Sequence, residues 1–569
     1  MTRSKMKTKP VRRRGDGFSL ALVLVFTGVL FLLLSGVLAW ITTTGNLTQR
    51  YNEYYDSVAA AEAATEKVVA SMARDFQNSG VSGVDGNLAN YTASIPTSAE
   101  VSDWGSYQFN DPSGGPNATY VTRLTSWQYT SLNWKYAGFK GSNSTYRIIS
   151  NARNTGSGYG VTSAVRQEIQ LAAIPLFEFG VFYAPDMELC ALTSDFTVPG
   201  RVHCNGTIYS KPNQQTVTFA GDVTAAQKIL NTASPNDPSA RTLGTNIYQG
   251  EHDWNVGSLN LPLGTNNNPA NLHALIDIPP GSEPTNSLMG LQRYYNKADL
   301  IILVSNTTVI AKSGAYDNFS TPVSWTNFVN TNISFNNQRE NKTIQATQID
   351  IGKLIAANPL GGHPVKVLYV ADLRTQSGTE SGVRLTNGVT LPAAGLTVAT
   401  RNPLYVLGHY NAPNTTPGST NTTGTAPASL VADAVTILSG AWKDSNSFGV
   451  NSNDPTKRPG TNTTVNAAVL AGIVPSDGTY FSGGVENFFR LLEDWGPNGL
   501  TFNGSMVVLF PSQFATAPWW PGGSNLSYAP PDRFFSFDPK LKDNLPPGTP
   551  CACTVIRSAW NIAQPNSTQ

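Results

Sequence analysis

From residue 21 to residue 41 the chain carries no charged side chain, and residues 18–41 are mostly Leu, Val, Phe and Ala with no proline. As a helix rising about 1.5 Å per residue, that stretch crosses a hydrocarbon core of roughly 30 Å with some tilt to spare. Everything after it is polar and rich in turns, so this one segment decides which side of a membrane the rest occupies. Seven cations (Arg3, Lys5, Lys7, Lys9, Arg12, Arg13 and Arg14) precede it against one acid, Asp16. Basic flanks stay on the cytoplasmic side. The expectation is a single-pass inner-membrane protein, N-terminus inside, with its bulk periplasmic or at the cell surface. Simple secretion competes, because Val37-Leu38-Ala39 loosely fits a cleavage exit. The apolar run, however, exceeds the roughly 7–15 residues of a signal peptide.

The helical pattern continues past the membrane. Leu47, Tyr51, Tyr54, Val58, Ala61, Thr65, Val68 and Met72 alternate steps of four and three, which sets them on one face. Ala59-Ala60-Ala61-Glu62-Ala63-Ala64 favours helix strongly. Gly45 is a candidate kink, and Asn78-Ser79-Gly80 supplies a glycine where a left-handed cap would end the helix. Such a half-apolar stripe wants a surface to lie on.

The order basic leader, Gly17-Phe18, unbroken apolar helix resembles the class III leader of type IV pilins and pseudopilins. That resemblance implies that a prepilin peptidase cuts between Gly17 and Phe18 and methylates Phe18. It also implies that the helix stays attached, as anchor and as the surface that packs against other pilin-like subunits. Most of the family carries Glu five residues into the mature chain, where this sequence has Leu22. Exceptions include the tip pseudopilin of type II secretion and PilX-type minor pilins, and the Ala/Glu-rich turn after the span resembles PilX-type N-termini too. The implied partner of the helix stripe is the protein's own sheet.

The full chain has 38 basic and 37 acidic residues; without residues 1–17, which hold seven basic and one acidic, 31 face 36, a formal −5. A mildly acidic exported part with few charges argues against nucleic-acid binding, which needs a basic face. Abundant Gly, Pro, Asn, Thr and Ser, with few long helical patterns, point to a mainly β protein. Residues 119–125, 144–151 and 162–171 read as strands of a small antiparallel sheet on the helix. From Phe179 the texture becomes short β-rich pieces separated by Gly, Asn or Pro, which favours a β-solenoid over a β-sandwich. The expected organisation is a basic leader (1–17), a membrane-spanning and amphipathic helix (18–78), a pilin-like sheet (79–178) and a large β-rich head (179–569). Polar loops at 411–428 and 444–464 lie within the head. A hairpin is expected around Asn306-Thr307, and a late helix over 485–495. The segment from Pro530 past Pro547 reads as extended and wrapped on the surface.

Chemistry is sparse. The four cysteines pair in three ways, and Cys190 with Cys204, across one predicted turn of strand, is the favoured bridge. The five histidines are scattered without zinc-site spacing, and no phosphate loop or nucleophile elbow appears. Carboxylates that could serve a carbohydrate-active solenoid are Asp372 beside Arg374, Asp433, Glu486 and Glu493-Asp494, but no spacing brings two of these regions together. The reading is therefore no enzyme, no cofactor and no metal. Trp519-Trp520, in a Pro/Gly loop, could stack on a surface carbohydrate or plug the end of the β domain. Function is expected to be structural: a minor or tip subunit of a type IV pilus or type II secretion-like pseudopilus. The alternatives are a single-span surface adhesin and an exported carbohydrate-active β-solenoid.

Overall fold

The computed structural model describes residue 7 and residues 16–190, 194–449, 454–519 and 527–568. The leader thus lies almost wholly outside the described residues. The protein is mainly β, with one long N-terminal helix followed by a large sheet-rich part.

The helix, Asp16–Asn87, has 72 residues, about 108 Å at 1.5 Å per residue. Gly45 lies inside it without a break. Gly80 (φ 62°, ψ −149°) bends the helix, and a short stretch continues beyond it. From Val58 on, the predicted stripe is buried: Val58, Ala61, Thr65, Val68 and Met72 all face the protein. Leu47 and Tyr51, on the same stripe, face nothing within the chain. Val68, Met72 and Phe76 pack on Tyr146, Ile148, Ile169 and Leu171 of the sheet beneath. Burial of side chains this size contributes roughly 1.5–3 kcal/mol apiece. Three alanines (Ala60, Ala61, Ala64) let the backbone lie close to Val165 and Ala152.

That sheet is antiparallel and centres on Lys140–Asn154 and Thr162–Pro175. Tyr107–Asn110, Tyr120–Arg123 and Gln128–Ser131 pair in succession along the free side of Lys140–Asn154. The other edge is supplied by the C-terminal strand, Cys551–Ala563, which pairs with Thr162–Pro175 along almost its whole length. The expected boundary of this unit at residue 178, with the C-terminus wrapped over the surface, is corrected accordingly. Both chain ends of the head enter one sheet, so the head is an insertion between neighbouring strands.

In the first part of the head, strands pair in parallel with the third strand after them. Val181–Tyr183 pairs with Val202–Cys204, which pairs with Val223–Ala225, each step 21 residues in register (Val181, Val202, Val223). Met187–Leu189 with Ile208–Ser210, and Phe196–Val198 with Thr216–Phe219, keep the same 21-residue step. The later half runs as a second parallel series. Leu300–Val304, Val367–Asp372, Leu396–Ala399, Ala428–Ala432, Thr463–Ala471 and Gly499–Val508 follow one another, and the last pairs with Val181–Tyr183. The head therefore starts in the middle of its stack. It builds outward to His252–Trp254, crosses back through residues 255–299, and fills the other half until it meets its own first strand.

The hairpin expected at Asn306-Thr307 is present as Leu300–Val304 with Val309–Ser313. The late helix is not. Val485–Asn487 forms one 3-10 turn, and Arg490–Leu491 joins the sheet beside Val435–Leu438. Val485, Phe488, Phe489, Leu492 and Trp495 are nevertheless all buried, so the apolar spacing marked the core and misread its geometry. Gly483 and Gly484, both at positive φ, place the segment where it can extend the ladder.

Candidate assembly site

The most exposed apolar surface of the described chain is the first half of the helix. Phe18 is 79% exposed and Trp40 70%, and the best 18-residue window has a mean hydropathy of 2.7 with none of it buried. This is one helix long and apolar enough to cross a membrane, by length and composition. Its few hydroxyls are satisfied internally: Thr27, Ser35, Thr42 and Thr43 donate to carbonyls three or four residues back. Hydroxyls returned to the helix's own carbonyls are what a water-poor environment requires. Gly17 is the second residue of this helix, Phe18 the third, and Leu22 projects from its exposed part.

The exposed segment is held at a fixed attitude to the rest. Gln167, on the sheet, donates to Thr65 Oγ1 at 2.9 Å and to Glu66 at 2.8 Å, and Arg557 of the C-terminal strand pairs with Glu66. Higher up, Tyr159 reaches Gln49 at 2.5 Å. The helix thus leaves the folded body as a direct continuation of its core.

The carboxylates singled out for catalysis each have hydrogen-bonding partners within the fold. Asp372 receives Arg374 on both oxygens and Thr347 Oγ1 at 2.7 Å. Glu493 takes the Ser439 amide at 2.6 Å and hydroxyl at 2.7 Å. Asp494 accepts the Gly496 amide at 3.0 Å, and Glu486 faces the Cys190 thiol at 2.9 Å. Asp433 collects the amides of Gln513, Phe514 and Ala515, together with His273 Nε2 at 3.3 Å. His273, whose other nitrogen meets Asp277 at 3.0 Å, was not foreseen as part of any cluster. Its partners lie 4 and 160 residues away, so only the nearer one had a sequence signal.

The favoured Cys190–Cys204 bridge is absent: all four cysteines are free thiols. Cys204 ends Val202–Cys204 while Cys190 follows Met187–Leu189, two strands of different sheets, and Cys204 Sγ contacts Pro185 O at 3.2 Å instead. Trp519 is half-buried, edge-on to Phe481, and donates to Tyr528 Oη at 2.9 Å; Trp520 lies outside the described residues. The loop at 411–428 is tied down, with Asn411 bonding Ala426 O and Asn466 O and Gly418 N bonding Thr501 Oγ1.

Buried titrating groups give the fold a pH dependence. Burial pushes the carboxyls of Glu178, Glu380 and Glu493 up to about 7. Such an acid stays protonated in the fold while the unfolded chain ionises near 4.5, so stability falls as pH rises from about 4.5 to 7. Burial pulls His273 down, but Asp277 and Asp433 together outweigh it and raise it above its ordinary value. Its contribution is full below about 6.5 and is lost as pH climbs through the raised value. His203, held neutral by burial at about 4, works the other way below 6.5. The balance predicts a melting temperature higher at pH 5.5 than at pH 8, and a smaller difference in Glu493→Gln; a rising profile over that range would contradict it.

No family profile and no curated protein matches the chain. Among solved structures, the competence-associated pilin ComZ from Thermus thermophilus aligns over 90% of this chain and 98% of its own, at 10% identity and a TM-score of 0.28. A superposition that loose carries no argument about fold or function here.

Proposed function

We propose that the chain is a membrane-anchored, non-enzymatic subunit of a pilus-related assembly, in a minor or tip position of a type IV pilus or a type II secretion-like pseudopilus. The observation that carries this reading is the division of one helix, continuous from Asp16 to the bend at Gly80: its first half is apolar and uncovered, while its second half is the spine of a folded body. An uncovered apolar helix is stable only in lipid or against other helices, and its continuation into the folded body ties the head to that position. Processing between Gly17 and Phe18 by a prepilin peptidase would leave the helix attached. Leu22 supplies no carboxylate to meet a neighbour's N-terminal amine, which fits a subunit not threaded in series. A head of this size, read as a solenoid on the strength of its parallel registers, suits a cap better than a repeating shaft.

A photoreactive residue at Leu33, 64% exposed, tests the packing in cells. The expected adducts join this chain to other subunits that carry an apolar N-terminal helix. Adducts to lipid alone would contradict the proposal and favour a single-span surface adhesin.

A further inference from the structure

A groove of about 650 Å³ opens where the N-terminal helix, the return crossing and the C-terminal strand come together. Phe76 and Val81, on either side of the bend at Gly80, line it from the helix. Leu288 and Leu291, on the short helix Leu288–Gln292, line it from the crossing, and Cys551 and Cys553 from the start of the last strand. The lining is mainly apolar, and the volume lies within the roughly 300–1,000 Å³ of sites that hold small ligands.

Lys297, half-buried, brings the one positive charge to this lining. Its one hydrogen bond among the described residues is a long one, to Gly548 O at 3.4 Å, and the Tyr294 ring lies 5.3 Å from its amine. No carboxylate among the described residues pairs with it; Asp85, which also lines the groove, is taken by Arg123. Burial pulls the ammonium down to about 8, with only the Cys551 thiol acting the other way. A cation removed from water without a counter-charge is costly, and a bound anion recovers that cost. We infer that this groove binds a free fatty acid, its carboxylate on Lys297 and its chain along Phe76, Val81, Leu288 and Leu291.

The place of the groove selects a single-chain ligand. From Ile41, the end of the apolar run, to Phe76 is about 50 Å along the helix at 1.5 Å per residue. An occupant therefore has to leave a bilayer that holds the apolar run, and one acyl chain partitions reversibly where two anchor stably. A phosphate head would call for several donors, and Lys297 is alone among the lining residues in carrying a cation. An apolar peptide would bring backbone amides that this lining leaves unmet.

The test is photolabelling of the full chain in nanodiscs with myristic acid that carries a diazirine on its chain, the adducts being mapped by mass spectrometry. Adducts in the apolar run at 18–41 report the probe in the bilayer and serve as the internal reference. Adducts are also expected in segments 76–82, 288–292 and 549–553, removed by excess myristate and retained in excess myristyl alcohol. Lys297→Gln should lower them about tenfold relative to the reference, as expected for loss of a bond to a charged group. Leu291→Glu, at a side chain that is 54% exposed, should lower them comparably with an unchanged melting temperature. Labelling of the three segments no higher than that of other surface segments, equal displacement by the alcohol, or labelling undiminished in both variants overturns the inference. None of these results bears on the assembly proposal, which rests on the helix.

Discussion

Asp433→Ala is expected to destabilise the protein by about 4 kcal/mol, the largest effect of any single carboxylate. The side chain is 0% exposed, yet it serves four donors: the Gln513 amide at 2.5 Å, Phe514 at 3.1 Å, Ala515 at 3.0 Å and His273 at 3.3 Å. Each amide left unpaired costs roughly 1–3 kcal/mol, and removing one partner of a buried charged pair costs roughly 3–5. These penalties overlap, because the strap can move toward water once released, so their sum overstates the loss. Asp433→Asn keeps an acceptor at one position and should lose about half as much. The carboxylate joins three places distant in sequence: the corner after Ala428–Ala432, the strap, and the Pro269–His273 helix of the return crossing. Denaturant unfolding of the full chain checks it; a loss below about 1 kcal/mol would mean that the strap is not held from this corner.

Gly180→Ala should cost about 3 kcal/mol for a different reason. Gly180 lies at the entry to the head, where its amide donates to Arg201 O at 2.8 Å and its carbonyl accepts from Met506 N at 2.9 Å. It thus joins the first strand of the stack both to the one that follows it and to the one that arrives last. A Cβ there would sit 1.8 Å from Pro199 O. The obstacle is backbone, not a flexible side-chain end, so the turn at Pro199-Gly200 must shift, and forced repacking of this kind costs roughly 1–3 kcal/mol or more. Gly257→Ala is the control, because nothing lies within 4 Å of its Cβ and its φ needs no glycine. Equal midpoints for the two variants would contradict the account of the join.

The sequence was most informative where contacts are local or periodic. The stripe from Val58 to Met72 is readable because a helix repeats its buried face every three or four residues. The strands of the head were readable one by one, and the 21-residue step from Val181 to Val202 to Val223 was present in the sequence, though obscured when the next step lengthens to 29 at His252. The pairing of Gly499–Val508 with Val181–Tyr183 had no such signal, since more than 300 residues separate the two. For the same reason the role of Cys551–Ala563 was missed: an edge strand reads as an extended segment until its partner is known. The burial of Val485 through Trp495 was legible but not its shape, because apolar spacing reports which residues are covered and leaves the backbone to the neighbouring ladder.

The central claim concerns the start of the helix, and intact-mass measurement of the N-terminus of the mature protein from its native membrane tests it most directly. The account predicts a chain that begins at Phe18 and carries an N-methyl group. A chain that still begins at Met1, or one that begins near Trp40, would contradict it.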